Sequence, residues 1–145
     1  MNDFVSRKEL TNMLTSPILA EELSLSHGCS YVVVDPNSPG NWQEVPFQSR
    51  CPIIALENGS VIPPEAPIDL SCKASQLDDI LNAINSQPQA SAVACQVLRA
   101  NESSSISTGL VFESLAYSTL LESGGFQDWL AKRKISENYQ TKNSN

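Results

Sequence analysis

Apolar residues recur along this chain with two different periods, and the change from one to the other marks its elements. Ser6 with Glu9 forms a capping box ahead of Leu10, Met13 and Leu14, and Ser16 followed by Pro17 opens a second short helix carrying Leu19 and Leu23. Residues 31–35 then form an apolar run without alternation, the pattern of a strand covered on both faces, and Pro36 stops it. Residues 36–50 hold Pro36, Pro39, Gly40 and Pro46 around Trp42 and Phe47, which predicts an irregular connection pinned by aromatics. A second strand is expected over 53–57, an Asn58-Gly59 turn, a rigid stretch over 63–67 and a short third strand over 68–71.

From there the period is helical. Ser75, with Asp78 at the box position, is expected to cap a helix whose Leu77, Ile80, Leu81 and Ile84 share one face. Pro88 opens the next helix, where Ala90, Val93, Ala94, Val97 and Leu98 form a stripe expected to pack on the sheet, leaving Gln96 and Arg99 outside. A third helix is read over 107–122, with Phe112, Leu115, Ala116 and Leu120 on one side. Leu110, Tyr117 and Leu121 line its other side beside Glu113, so two surfaces should cover it, one of them open to another chain. Gly124-Gly125 is expected to end that helix, Phe126, Trp129 and Leu130 to form a short amphipathic segment, and Lys132, Arg133 and Lys134 to sit at a helix end. The fold class that follows is α/β: one domain over 1–135 with a small, mostly parallel three-stranded sheet packed by helices, then a flexible tail over 136–145.

Nine basic against sixteen acidic residues give a formal charge of −7, which argues against nucleic acid and anionic membrane as partners. The opening MNDFVSRKEL lacks the apolar core of a signal peptide and no later segment has the length of a membrane span, so a cytoplasmic address is expected. Cys29, Cys51, Cys72 and Cys95 show no Cys-x-x-Cys spacing and have only His27 for company. That fits neither a zinc site nor a disulfide scaffold; buried thiols and no cofactor are the expectation.

The stretch CPIIALENG over 51–59 resembles the central strand of the crotonase superfamily, the enoyl-CoA hydratases and isomerases. GLVFESLAYSTLLESGGFQDWLAKRK, over 109–134, is similar to that family's late helices. The chain also looks like the small domain that precedes a complete crotonase domain in some bacterial enoyl-CoA hydratase-like proteins. The resemblance implies a crotonase-like fragment and a link to acyl-CoA and fatty acid metabolism. In that family a glycine-rich loop after the strand offers a backbone N–H to the thioester oxygen, and a second donor follows the first strand. Here those places read Ser60-Val61-Ile62-Pro63-Pro64-Glu65 and Pro36-Asn37-Ser38-Pro39-Gly40. Proline has no N–H, and losing one such donor costs about 10²- to 10³-fold in rate, so no catalytic residue is carried over. A non-catalytic interaction or assembly subunit beside an acyl-CoA enzyme, or one that self-associates, is the leading expectation. The alternative is an active hydratase or isomerase that binds acyl-CoA at an atypical oxyanion site.

Single residues add little chemistry. Glu113 lies in an otherwise apolar helix and is expected to reach solvent or pair with a base such as Arg99. Asp35 and Asp69 are placed at or near strand ends, where open α/β sheets bind ligands. His27, beside Gly28, reads as a surface or capping residue. Leu110, Tyr117, Leu121, Phe126 and Trp129 are the candidate interface, with core packing as the other reading of the aromatics.

Overall fold

The structure, a computed structural model, describes residues 4–142, with side chains as far as Arg133. It divides into two compact units, one up to Gln96 and one from Val97.

The first unit is built on a wholly parallel sheet of four strands in the order β1 (Val5–Ser6), β2 (Val32–Asp35), β3 (Ile53–Leu56) and β4 (Leu70–Cys72). The expected α/β class with a parallel sheet packed by helices is present, but the sheet has four strands instead of three. The additional strand, β1, pairs Val5 with Val34 and Ser6 with Asp35. Two residues cannot display a period, which is why no pattern announces it.

Helix α1 (Arg7–Thr15) starts at the predicted box: Ser6 Oγ accepts from the Glu9 N–H at 3.2 Å, and Glu9 Oε2 accepts from the Ser6 N–H at 2.8 Å. Helix α2 (Pro17–Glu22) has Ser16 as its N-cap and Pro17 in its first turn. Their Leu10, Leu14 and Ala20, with Leu23, pack on Val32, Val34, Ile53 and Ala55. The alternate residues Val33 and Ile54 face the other way and join Cys72 in packing on Leu77, Leu81 and Ile84 of α3 (Ala74–Ser86). The unalternating apolar strands are therefore buried on both faces, as their pattern predicts.

The proline-rich connection is fastened to the first helices by main-chain bonds. Lys8 N–H reaches the Pro39 carbonyl at 3.0 Å, Phe47 N–H reaches Leu14 at 3.2 Å, and Arg50 N–H reaches Leu23 at 2.9 Å. Trp42 packs against the core, with the Arg7 guanidinium 5.8 Å from its ring centre.

Two helix readings need correction. Helix α3 begins two residues earlier than expected: Lys73 holds the N-cap position, its N–H bonded to Gln76 Oε1 at 3.1 Å, and Ser75 lies inside the first turn. In α4 (Pro88–Glu102) the stripe expected on the sheet is not the buried face. Leu98 is 66% exposed and Ala94 is exposed, whereas Ala92 is buried and Gln96 Nε2 donates to the Arg50 carbonyl at 3.3 Å. Periodicity finds an apolar stripe; it does not say what covers it.

The second unit contains the end of α4, α5 (Ile106–Leu121) and α6 (Gly124–Lys142). Ser105 caps α5, and Gly109 is buried close against Asn101. Gly124-Gly125 begins α6 and does not terminate α5; the turn is made at Ser123, whose Oγ accepts from the Phe126 N–H at 3.3 Å. Glycine is far more common just past a helix end than at a helix start, which is why the pair reads as a terminator in the sequence. The basic residues from Lys132 consequently lie within a helix, which continues to Lys142 through most of the segment read as a tail; residues 143–145 are outside the described region. Among the described residues no helix is long and apolar enough to cross a membrane.

Gly40 has φ +120°, and a Cβ there would lie 2.5 Å from the Lys8 nitrogen. Gly40→Ala is therefore expected to destabilise the first unit by about 1–3 kcal/mol or more. Urea unfolding followed by tryptophan fluorescence should show a larger loss than for Gly59→Ala, where φ is +88° but no atom lies within 4 Å.

Candidate functional site

In an open parallel sheet the natural ligand crevice lies beyond the carboxyl ends of the strands. Here that edge is tied up by its own side chains. Asp35, at the end of β2, accepts at Oδ1 from the Asn37 N–H (2.9 Å) and from Asn58 Nδ2 (2.8 Å). Its carbonyl accepts from the Ser38 N–H at 3.0 Å and from Ser38 Oγ at 2.5 Å, and Ser60 Oγ donates to Asn37 Oδ1. Beyond β3, Glu57 accepts from Ser71 Oγ at 3.1 Å. In the bend before β4 the Ala66 N–H is donated to the Pro63 carbonyl (3.0 Å) and the Ile68 N–H to the Ala66 carbonyl (2.7 Å).

Asp69 stands at the opposite edge. It precedes β4, its N–H donates to the Ile53 carbonyl at 2.9 Å, and its Oδ2 accepts from the Ile53 N–H at 2.7 Å. The carboxylate thus extends the ladder by one rung at the start of β3. Asp35 and Asp69 do not converge on a common site.

The amino edge carries the chemistry that spacing alone did not reveal. Val32 lies opposite Ile53 in the β2/β3 ladder, and Cys29 and Cys51 precede those residues by three and two positions. The two lead-in segments bring the sulfurs to 3.4 Å from one another. Cys51 is fully buried and Cys29 half-buried. Ser49 Oγ stands 3.2 Å from Cys51 Sγ, donates to the Cys51 carbonyl at 2.8 Å and accepts from its N–H at 3.1 Å.

The Cys51 thiol, directed at the neighbouring sulfur, stabilises the Cys29 thiolate and outweighs partial burial; with help from the Tyr31 main chain it lowers the Cys29 pKa to about 7. Cys72 is shifted the other way, by burial and by the negative charge of Glu57. Cys29 opens on a shallow depression of about 410 Å³ lined by His27, Gly28, Cys29, Ser30, Tyr31 and Asn85. His27 itself is an exposed residue in a 3₁₀ turn, with Nδ1 at 3.1 Å from Ser24 Oγ and Gly28 as the left-handed cap.

The second unit presents exposed apolar side chains on α5. Glu113, the one charged residue of α5, accepts from Asn101 Nδ2 at 3.0 Å. Around it Leu110 is 60%, Leu115 63% and Tyr117 64% exposed. Leu121 is half-buried. On α6 Phe126 and Trp129 stack with ring centres 5.8 Å apart, and Arg133 lies 5.4 Å from the Trp129 ring centre. Among the described residues no group of three or more His, Cys, Asp or Glu side chains is arranged to hold a metal ion. No family model, no curated protein and no solved structure matches the chain.

Because alkylation requires the thiolate, iodoacetamide labelling of Cys29 should accelerate as pH rises and reach half its maximal rate near pH 7. In Cys51→Ala the midpoint should move up toward the ordinary thiol value of about 8.5. Peptide-resolved mass spectrometry across the pH series measures both.

Proposed function

We propose that this chain is a non-catalytic interaction or assembly subunit, related to the enoyl-CoA hydratases and isomerases, that works beside an acyl-CoA enzyme by burying α5 against it. The observation that carries the reading is α5 itself: a helix with a single charge, whose large apolar side chains on both flanks face solvent. A helix apolar all round is ordinarily a buried one.

Two further observations support it. The Asn37 and Ser38 N–H groups, in the segment where the resembled family keeps an oxyanion donor, are committed to Asp35. In the other such segment, Pro63 and Pro64 have no N–H to offer and the Ala66 N–H is taken by the Pro63 carbonyl. Charge is also unevenly distributed. The first unit holds four basic and eleven acidic residues and so all of the −7, whereas the second holds five of each. Net repulsion therefore does not oppose bringing a partner to the second unit.

Sedimentation velocity of the chain alone, and mixed with a purified enoyl-CoA hydratase, tests this. A complex with the enzyme at micromolar concentration is expected, and Leu115→Glu should weaken it about tenfold or more. A homodimer that excludes the enzyme would keep α5 as the docking face but remove the acyl-CoA enzyme as partner. A monomer under both conditions, or turnover of crotonyl-CoA by the chain alone, would overturn the reading.

A further inference from the structure

The cysteine pair at the amino edge of the sheet has no part in the docking surface, and its arrangement is that of a redox couple. We propose that Cys29 and Cys51 are a peroxide-sensitive thiol pair, in which Cys29 is oxidised first and Cys51 resolves it to an intramolecular disulfide. Three observations support the assignment. The sulfurs are already in contact at 3.4 Å, so bond formation needs a side-chain adjustment and no rearrangement of the strands. Exposure divides the roles: Cys29 is half-buried and opens on the depression beside His27 and Asn85, whereas Cys51 is fully buried. Ser49 fixes the Cys51 main chain and stands beside its sulfur, holding the thiol in place. The lowered Cys29 pKa, about 7, provides the nucleophilic form at neutral pH.

The chemistry balances with a hydroperoxide as oxidant. The Cys29 thiolate attacks the terminal oxygen of ROOH; the O–O bond breaks, an S–O bond forms, and the alkoxide leaves as ROH after taking up a proton. Cys29 is then a sulfenic acid. The Cys51 sulfur attacks that of Cys29, an S–S bond forms as S–O breaks, and the departing hydroxide leaves as water with the Cys51 proton. The protein loses two electrons and two protons, and the peroxide is reduced to ROH and water. A dithiol reverses the step by exchange.

The disulfide would link the segments leading into β2 and β3 at the amino edge and so close a loop over 29–51 that contains β2 and the whole proline-rich connection. It joins a half-buried position to one inside the core cluster, which makes it a sensor of oxidant at the surface with its consequence in the interior.

The test exposes the whole chain to hydrogen peroxide, blocks remaining thiols under denaturing conditions and maps all four cysteines by mass spectrometry. Expected is a Cys29–Cys51 linkage within one chain, lost again with dithiothreitol and formed at least about tenfold faster than any oxidation of Cys72 or Cys95. In Cys51→Ser, dimedone should trap a sulfenic acid at Cys29; in Cys29→Ser, Cys51 should stay reduced. Oxidation of Cys95 or Cys72 ahead of the pair, a linkage between chains, or a Cys29 sulfenic acid that persists in the unaltered protein would each overturn the proposal. Should either variant fail to fold, the mapping of the unaltered chain decides alone. Docking through α5 is read by sedimentation, so the two proposals fail independently.

Discussion

The first unit depends on one constraint: β2 and β3 run parallel and are apolar on both faces, so both faces must be covered. Val32, Val34, Ile53 and Ala55 demand the first two helices, and Val33 and Ile54 demand α3. At roughly 1.5–3 kcal/mol for each fully buried aliphatic side chain, this ladder and its two covers outweigh any other interaction in the unit. The connection over 36–50 then has to travel from the end of one strand to the start of its parallel neighbour. With four prolines and glycines it does so without a helix, using main-chain bonds to Lys8, Leu14 and Leu23.

Parallel pairing also sorts the polar residues to two edges. At the carboxyl edge, where ligands are expected, the carboxylate and carbonyl of Asp35 are occupied by Asn37, Ser38 and Asn58. A donor already bonded at 2.8–3.0 Å would have to surrender that bond before serving a ligand, at a cost of about 1–3 kcal/mol per group left unpaired. At the amino edge the ladder brings together two lead-in segments, and there the reactive sulfurs meet. The opposite shifts of Cys29 and Cys72 follow from what each thiol faces: a hydrogen-bond donor in one case, apolar burial and a glutamate in the other.

How much of this was legible depends on whether the governing interaction is local. The Ser6–Glu9 box, the Ser16-Pro17 start, the two-faced strands and the Leu77, Leu81, Ile84 stripe are all decided within a few residues, and all are present as read. The two-residue β1, the face of α4 that is buried and the role of Gly124-Gly125 are decided by partners distant in sequence or by three-dimensional surroundings. Asp35 and Asp69 looked alike as strand-end acids, yet one follows its strand and the other precedes it, so a parallel sheet must separate them. The Cys29/Cys51 contact was hidden by a separation of 22 positions along the chain, although a signal existed. Each cysteine leads into one of two adjacent apolar strands at nearly the same offset, and a parallel pairing of those strands brings such positions to one level.

The magnitude available at α5 limits what its surface can achieve. Leu110, Leu115 and Tyr117 are each about three-fifths exposed, so their complete burial would recover only part of the roughly 1.5–3 kcal/mol that each such side chain is worth. Val111 and Ile106, also exposed, raise the total to several kcal/mol. Association costs about 4–15 kcal/mol in lost translation and rotation before any net affinity appears. Burying one helix therefore sustains a transient contact at most, and a stable complex requires the partner to contribute an apolar surface of its own and to enclose α5 on more than one flank. Having apolar residues on both flanks, α5 suits a groove better than a flat face, and it selects for a partner with a concave, uncharged site.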